Sequence, residues 1–221
     1  MSAAPLAILF DLDGTLIDSE PGILASCKAA VRSLGHDAAG LDLAGLIGPP
    51  LEEIMATILA RVGDDRIAEG VLAYREHYGV EGFRASAPYP GVADMLAQLA
   101  ASDVALYVAT SKRTVFARRI LEHLGLAHRF AAIYGSEPDG SVDRKSALIA
   151  HILKRHDLRP ERCLMVGDRR HDVEGARANG VGCVGVLWGY GAREELEAAC
   201  AAHVVARPAD IIPIVERCTR G

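Results

Sequence analysis

The sequence has no hydrophobic run long enough to cross a membrane and no cysteine pair with metal-ligand spacing. Its longest apolar stretches, at residues 104–109 and 181–188, are far shorter than the roughly 20 residues of a transmembrane helix. Five cysteines occur without a Cys-x-x-Cys pair, so they are predicted to be small buried side chains rather than disulfide or zinc ligands. Because the N-terminus also lacks the basic region of an export signal, we expect a cytoplasmic protein without membrane attachment.

The sequence also has fewer basic residues than acidic ones, 24 against 29. A net charge of -5 and a pI near 5.9 give no basic face for a nucleic acid polymer. With 50% hydrophobic and 24% charged residues, the composition is that of a globular protein. Only four of the 24 basic residues are lysines, and a lysine in an arginine-rich chain is a candidate for chemistry that needs a compact ammonium group, although chance is the alternative.

Short apolar stretches alternate with helical periodicity along most of the chain. Helical patterns follow the predicted strands at residues 115–124, 173–178 and 194–202. Alternation of this kind is typical of a parallel sheet that is covered by helices on both faces. The pattern therefore predicts an α/β protein with a Rossmann-like three-layer core and a mostly parallel sheet, with strands at residues 7–10, 104–109, 163–166, 181–187 and 203–206.

One segment departs from this alternation. Residues 21–80 show helical periodicity and no convincing strand, with Ser19 able to cap the first helix. We predict an α/β core formed by residues 1–17 and 88–221 and an inserted all-helical cap domain at residues 18–87. The cap is expected to cover the site, with Gly48, Pro49 and Pro50 among the candidates for substrate contact and solvated surface positions as the alternative.

Two carboxylates directly follow the first predicted strand. Asp11 and Asp13 share one side of an extended backbone, since side chains i and i+2 point the same way. One carboxylate can then attack phosphorus while the other moves a proton. For an Asp-x-Asp-Gly sequence alone, a solvated turn is an equal alternative.

The string from Asp11 to Ser19 closely resembles the first motif of the haloacid dehalogenase superfamily of phosphatases. The family's three other motifs occur in order, and the helical insertion resembles the cap of its phosphoglycolate phosphatase-like branch. The matching residues are Thr110 with Ser111 and Lys112 in the second motif, Lys145 in the third, and Asp168 with Asp172 in the fourth.

The resemblance implies a role for each matching residue. Asp11 would be the nucleophile, and Asp13 would protonate the leaving alcohol and then activate water. Thr110, Ser111 and Lys112 would bind the substrate phosphate, while Lys145 would compensate charge in the transition state. Mg²⁺, which prefers oxygen ligands, would be held by the side chains of Asp11 and Asp168, by the Asp13 carbonyl group, and directly or through water by Asp172.

The implied function is hydrolysis of a small phosphorylated metabolite by a monomer or homodimer. The general pattern resembles phosphoglycolate phosphatases, but Lys145 is followed by Ser146 where that group commonly has Pro, and residues 134–140 resemble a branch of 5'-nucleotidase-like enzymes. A sugar phosphomutase and a catalytically silent binding protein are further alternatives. Trp188 begins a Trp-Gly-Tyr-Gly loop that lies either near the site or, at the tryptophan, in the packed core.

Overall fold

The structure is a computed structural model that describes residues 6–43, 45–47 and 50–220. The first five residues of the predicted core, and the candidate contacts Gly48 and Pro49, lie outside the described residues. The strands are β1 (Leu6–Phe10), β2 (Ile17–Asp18), β3 (Ala87–Pro88), β4 (Val104–Arg113), β5 (Ala132–Ser136), β6 (Cys163–Gly167), β7 (Gly182–Val186) and β8 (His203–Val205). The helices are α1 (Glu20–Ser33), α2 (Leu51–Ala60), α3 (Ile67–Val80), α4 (Val92–Ala100), α5 (Thr114–His123), α6 (Lys145–Arg155), α7 (Arg170–Arg177), α8 (Arg193–Ala198) and α9 (Ile212–Arg220).

The described chain divides into two compact units. One unit contains the residues up to Asp18 together with Pro88–Gly221, and the other is Ser19–Ala87. The first unit holds the large sheet, and the second contains the helices α1 to α3.

Six strands of the first unit form one sheet in the order β5-β4-β1-β6-β7-β8, and each neighbouring pair is parallel. The predicted α/β class with a mostly parallel sheet is confirmed. The edge strand β5 was missed by the sequence prediction, because its five residues are only alternately buried and carry a glycine. The other predicted strands lie within about two residues of the observed bounds, except that β4 continues to Arg113.

The centre of the core is β1, whose five residues are all buried. Its alternate residues Ala7 and Leu9 belong to a cluster with side chains from α6, α7 and α8. On the other face Phe10 meets Phe130 edge-to-face, with ring centroids 6.4 Å apart. Burial on both faces explains why β1 is continuously apolar rather than alternating.

Ion pairs connect segments of the helical unit, one between Arg75 and Glu52 at 2.9 Å and a group centred on Asp64. Asp64 accepts from His36 Nε2 at 2.6 Å and from the backbone N–H of Arg66 at 2.8 Å. Ser19 occupies the position before α1, but its side chain makes no capping hydrogen bond, so the predicted cap was wrong in that detail.

The prediction for the cysteines was correct for three of the five. Cys27, Cys163 and Cys183 are buried, whereas Cys200 is exposed and Cys218 is half-buried. Over the part of the chain that the structure describes, no helix has the length and apolar character of a membrane span.

Candidate active site

The carboxyl ends of three adjacent strands supply the candidate site. Asp11 follows β1, the strand that lies between β4 and β6 in the sheet. Asp168 follows β6, and Thr110 lies within the extended end of β4. Parallel α/β proteins bind ligands at this edge, so strand order alone brings these three residues of the sequence prediction to one place.

Lys145 connects the nucleophile candidate to a second acid. As the first residue of α6, it places its Nζ 2.8 Å from Asp11 Oδ1 and 2.8 Å from the carbonyl oxygen of Ala109. The same ammonium forms an ion pair with Asp172 Oδ1 at 2.8 Å. The other oxygen of Asp172 accepts the backbone N–H of Arg169 at 3.1 Å, so this acid orients the lysine as well as the start of α7.

Burial and neighbouring charges shift the pKa values of Asp11 and Lys145. Burial raises the pKa of Asp11 to about 6, and Asp172 adds to the increase while Lys145 opposes it. For Lys145, burial alone lowers the pKa, but Asp11 and Asp172 together raise it above its usual range. The lysine is therefore positively charged at neutral pH, and it stabilises the negative charge of Asp11.

Asp168 is completely buried and has one donor on each oxygen. The hydroxyl group of Thr15 donates to Oδ1 at 3.1 Å, and the backbone N–H of Tyr190 donates to Oδ2 at 2.8 Å. Burial, with the nearby charges of Asp11 and Asp172, raises the pKa of Asp168 to about 8 despite these bonds. The site thus holds more negative charge than the surrounding protein compensates.

Asp13 has one engaged and one available oxygen. Its Oδ2 lies 3.1 Å from Lys112 Nζ, while its buried Oδ1 has no hydrogen-bond partner among the described residues. The hydroxyl oxygen of Thr110 accepts the backbone N–H of Lys112 at 3.1 Å, which leaves the hydroxyl proton for another acceptor. Ser111, between these two residues, is exposed.

The acidic residues fit a hard divalent cation. Asp11, Asp168 and Asp172 each offer a carboxylate oxygen, and these atoms lie within 4.8 Å of one another. Oxygen donors of this kind suit Mg²⁺. The raised pKa values of Asp11 and Asp168 show that repulsion and burial destabilise the ionised cluster, which a cation would relieve.

Sequence reasoning gave no separate role to Thr15 or Tyr190, and it named Trp188 only as the start of a loop that lies either near the site or in the core. Thr15 was read only as part of the first motif, although it donates to Asp168. The Tyr190 backbone holds the same carboxylate, and Trp188 Nε1 donates to the Thr15 carbonyl oxygen at 2.9 Å. The available signal was the Trp-Gly-Tyr-Gly loop directly after a predicted strand.

Together, the fold and the site define an α/β enzyme with carboxylate and lysine chemistry at the carboxyl edge of a parallel sheet. Residues 8–186 match the family model described as haloacid dehalogenase-like hydrolase. The chain belongs to this family of hydrolases.

Three relatives carry more specific names. A 5'-nucleotidase of Pseudomonas aeruginosa is 43% identical over 212 residues, covering 95% of both chains. The tyrosine-protein kinase PtkA of Mycobacterium tuberculosis is 42% identical over 189 residues, which are 85% of this chain and 64% of that protein. A phosphoglycolate phosphatase of Yersinia pseudotuberculosis is 32% identical over 213 residues, covering 94% of this chain and 92% of the relative.

The fold is also shared with solved structures. A haloacid dehalogenase-like hydrolase of Streptococcus pneumoniae superposes with a TM-score of 0.86 at 33% identity, covering 95% of this chain and 98% of that one. The likeness extends over nearly the whole of both chains.

Proposed function

We propose that the protein is a Mg²⁺-dependent phosphatase that hydrolyses a small phosphomonoester through an aspartyl-phosphate intermediate. The observation that carries this proposal is the pair of carboxylates after β1. Asp11 is held by Lys145 at 2.8 Å, and Asp13, two residues further on, keeps a buried oxygen without a partner among the described residues. Asp11 is thus held beside a positive charge, and Asp13 has a second carboxylate oxygen that is available to a substrate or water.

In the first step, an Asp11 oxygen forms a bond to phosphorus while the bond from phosphorus to the alcohol oxygen breaks. Asp13 gives its proton to the departing alcohol. Lys145 compensates negative charge beside the nucleophile, and the Thr110 hydroxyl group donates to a phosphoryl oxygen. These contacts act on charge that develops in the transition state, where a positioned donor has its largest effect on rate.

In the second step, water attacks the phosphorus atom of the aspartyl phosphate. Asp13 takes the proton of that water, and Asp11 is released as a carboxylate together with inorganic phosphate. The same residue acts first as an acid and then as a base. Division of one displacement into two easier ones is the advantage of a covalent intermediate.

The metal would be held by the side chains of Asp11 and Asp168 and by the Asp13 carbonyl group. Asp172 joins them directly or through water, although both of its oxygens already have partners in Lys145 and the Arg169 backbone. When bound, the cation supplies positive charge that lets a phosphate dianion approach the buried carboxylates.

Nucleoside monophosphates are the first substrates to test. The relative named 5'-nucleotidase is 43% identical to this chain, whereas the phosphoglycolate phosphatase is 32% identical, so phosphoglycolate comes second. The 42% identity to PtkA adds phosphate transfer to a protein tyrosine as an alternative activity. Sugar phosphomutase activity and a catalytically silent binding role are further alternatives.

We also propose that the protein is cytoplasmic and that it is a monomer or homodimer. Its partner is a small metabolite rather than a nucleic acid or a membrane.

The test is phosphate release by the purified protein with Mg²⁺ on matched concentrations of nucleoside monophosphates, phosphoglycolate and sugar phosphates. Asp11→Asn should abolish release, and Asp103→Asn, at an exposed aspartate of the same unit, should leave it unchanged. Unchanged release by Asp11→Asn contradicts the nucleophile. If no compound is hydrolysed but ATP labels a protein tyrosine, the phosphatase proposal is replaced by the kinase alternative.

A further inference from the structure

The loop at residues 188–191, which follows β7, makes three hydrogen bonds to residues in or next to the candidate site. It carries the sequence Trp-Gly-Tyr-Gly and contributes no residue to the proposed chemistry. Trp188 Nε1 donates to the carbonyl oxygen of Thr15 at 2.9 Å, and the Tyr190 backbone N–H donates to Asp168 Oδ2 at 2.8 Å. Thr15 lies 173 positions of sequence from Trp188, and Asp168 lies 22 positions from Tyr190.

These bonds belong to a closed hydrogen-bond network that connects the loop, Thr15 and Asp168. Thr15, whose carbonyl oxygen accepts from Trp188, donates its own hydroxyl proton to Asp168 Oδ1 at 3.1 Å. Each oxygen of Asp168 therefore has its own donor, Thr15 for Oδ1 and the loop for Oδ2. The Tyr190 hydroxyl group adds a bond to Asp18 Oδ1 at 3.3 Å, in the strand β2 that follows the turn at Gly14 and Thr15. Rotation of the Asp168 carboxylate would break at least one bond of this network.

Close approach of the loop requires glycine at position 189. A Cβ atom there would lie 2.5 Å from Asp168 Cβ and 2.6 Å from Asp168 Oδ2, and it would overlap the carbonyl oxygen of Gly14. Real Cβ atoms do not come this near to other heavy atoms, so a side chain at residue 189 must displace Asp168, the Gly14 turn or the loop. The backbone of residue 189 thus lies directly against both segments.

We propose that the 188–191 loop is a positioning element of the site, which fixes the Asp168 carboxylate and the turn at Gly14 and Thr15 in one arrangement and thereby sets the affinity of the site for a divalent cation. The proposal rests on the proposed function for the metal. Groups that hydrogen-bond to metal ligands orient them before the ion arrives, and their loss typically weakens metal binding by about 10- to 100-fold. Trp188 and Tyr190 act through Thr15 and Asp168 and touch no reacting atom.

The test compares Gly189→Ala with Gly182→Ala in the intact protein. Gly182 begins β7, the strand that leads to the loop, and a Cβ atom there would meet only Leu164 Cδ2 at 3.4 Å, an ordinary contact. Isothermal titration calorimetry with Mg²⁺ alone gives the dissociation constant. Hydrogen exchange of the metal-free protein, read on peptides covering residues 11–18, gives the order of the turn.

We expect Gly189→Ala to raise the Mg²⁺ dissociation constant by about tenfold or more and to speed exchange at residues 11–18, with Gly182→Ala within about twofold of wild type on both measures. A folded Gly189→Ala protein that matches wild type in exchange overturns the positioning of the turn. One that exchanges faster but binds Mg²⁺ as wild type does overturns the control of affinity.

Two further results keep the inference separate from the proposed function. If wild type binds no Mg²⁺, the metal of the proposed function and the affinity part of the inference both fail, and exchange alone decides the positioning. If Gly189→Ala does not fold, Trp188→Phe takes its place, since it removes the donor to Thr15 and keeps an aromatic side chain at residue 188.

Discussion

Replacement of Asp168 by Asn should stabilise the metal-free protein at slightly alkaline pH. Burial and two neighbouring acids raise the pKa of Asp168 from 3.8 to about 8. At about 1.36 kcal/mol per unit, ionisation of this group costs about 6 kcal/mol more in the folded protein than in the unfolded chain. The folded state holds the proton more tightly, so this contribution to stability is complete below pH 3.8 and is lost as the pH rises to about 8.

The neutral amide keeps the shape and both hydrogen bonds of the carboxylate. Its oxygen can accept the Tyr190 N–H, and its NH₂ group can donate to the Thr15 hydroxyl oxygen. Because a proton taken up elsewhere in the acidic cluster recovers part of the cost in wild type, we expect Asp168→Asn to raise the free energy of unfolding by about 2–4 kcal/mol at about pH 8 and by about 1 kcal/mol at about pH 5.

The assay is urea unfolding followed by circular dichroism in excess chelator at both pH values, with Asp103→Asn as the exposed control. Addition of Mg²⁺ should stabilise wild type and leave Asp168→Asn unchanged. The reasoning is refuted if Asp168→Asn is no more stable than wild type at about pH 8, or if its gain is equal at the two pH values.

Three other predictions concern the acid-base residue, the metal and the helical unit. Lys112→Met removes the ammonium group that pairs with Asp13, so kcat should fall by about tenfold or more. The control Lys154→Met, at an exposed lysine, should keep its activity. Equal kcat values for the two variants contradict this prediction. Excess chelator should abolish phosphate release. The rise in Tm on adding Mg²⁺ should be larger at about pH 8 than at about pH 6, because cation binding competes with the Asp168 proton. A rise in Tm that does not depend on pH contradicts this prediction. Asp64→Asn should lower Tm by a few degrees more than the exposed control Asp65→Asn, since only Asp64 bonds to His36, and equal Tm values for the two would show that this bond adds no stability.

The sheet, and the acidic residues at the carboxyl end of its central strand, were predicted from local sequence patterns. β1 is apolar throughout because both of its faces are covered, and the change to Asp11 and Asp13 marks its carboxyl end. The edge strand β5 escaped notice because its half-buried pattern is weaker than that of a central strand. The exposed Cys200 escaped for a related reason, since residue type gives only a tendency to burial.

By itself, the sequence determined five of the six strands of the large sheet, the residues near their ends and the types of chemistry those residues permit, because hydrophobic period and residue type are local properties. Tertiary structure decided the contacts: Lys145 reaches Asp11 across 134 positions of sequence, and Thr15 reaches Asp168 across 153. It also decided that Asp172 pairs with Lys145 and that the 188–191 loop holds Asp168. Such contacts follow from strand order and helix packing, which bring distant residues together and which no local pattern records.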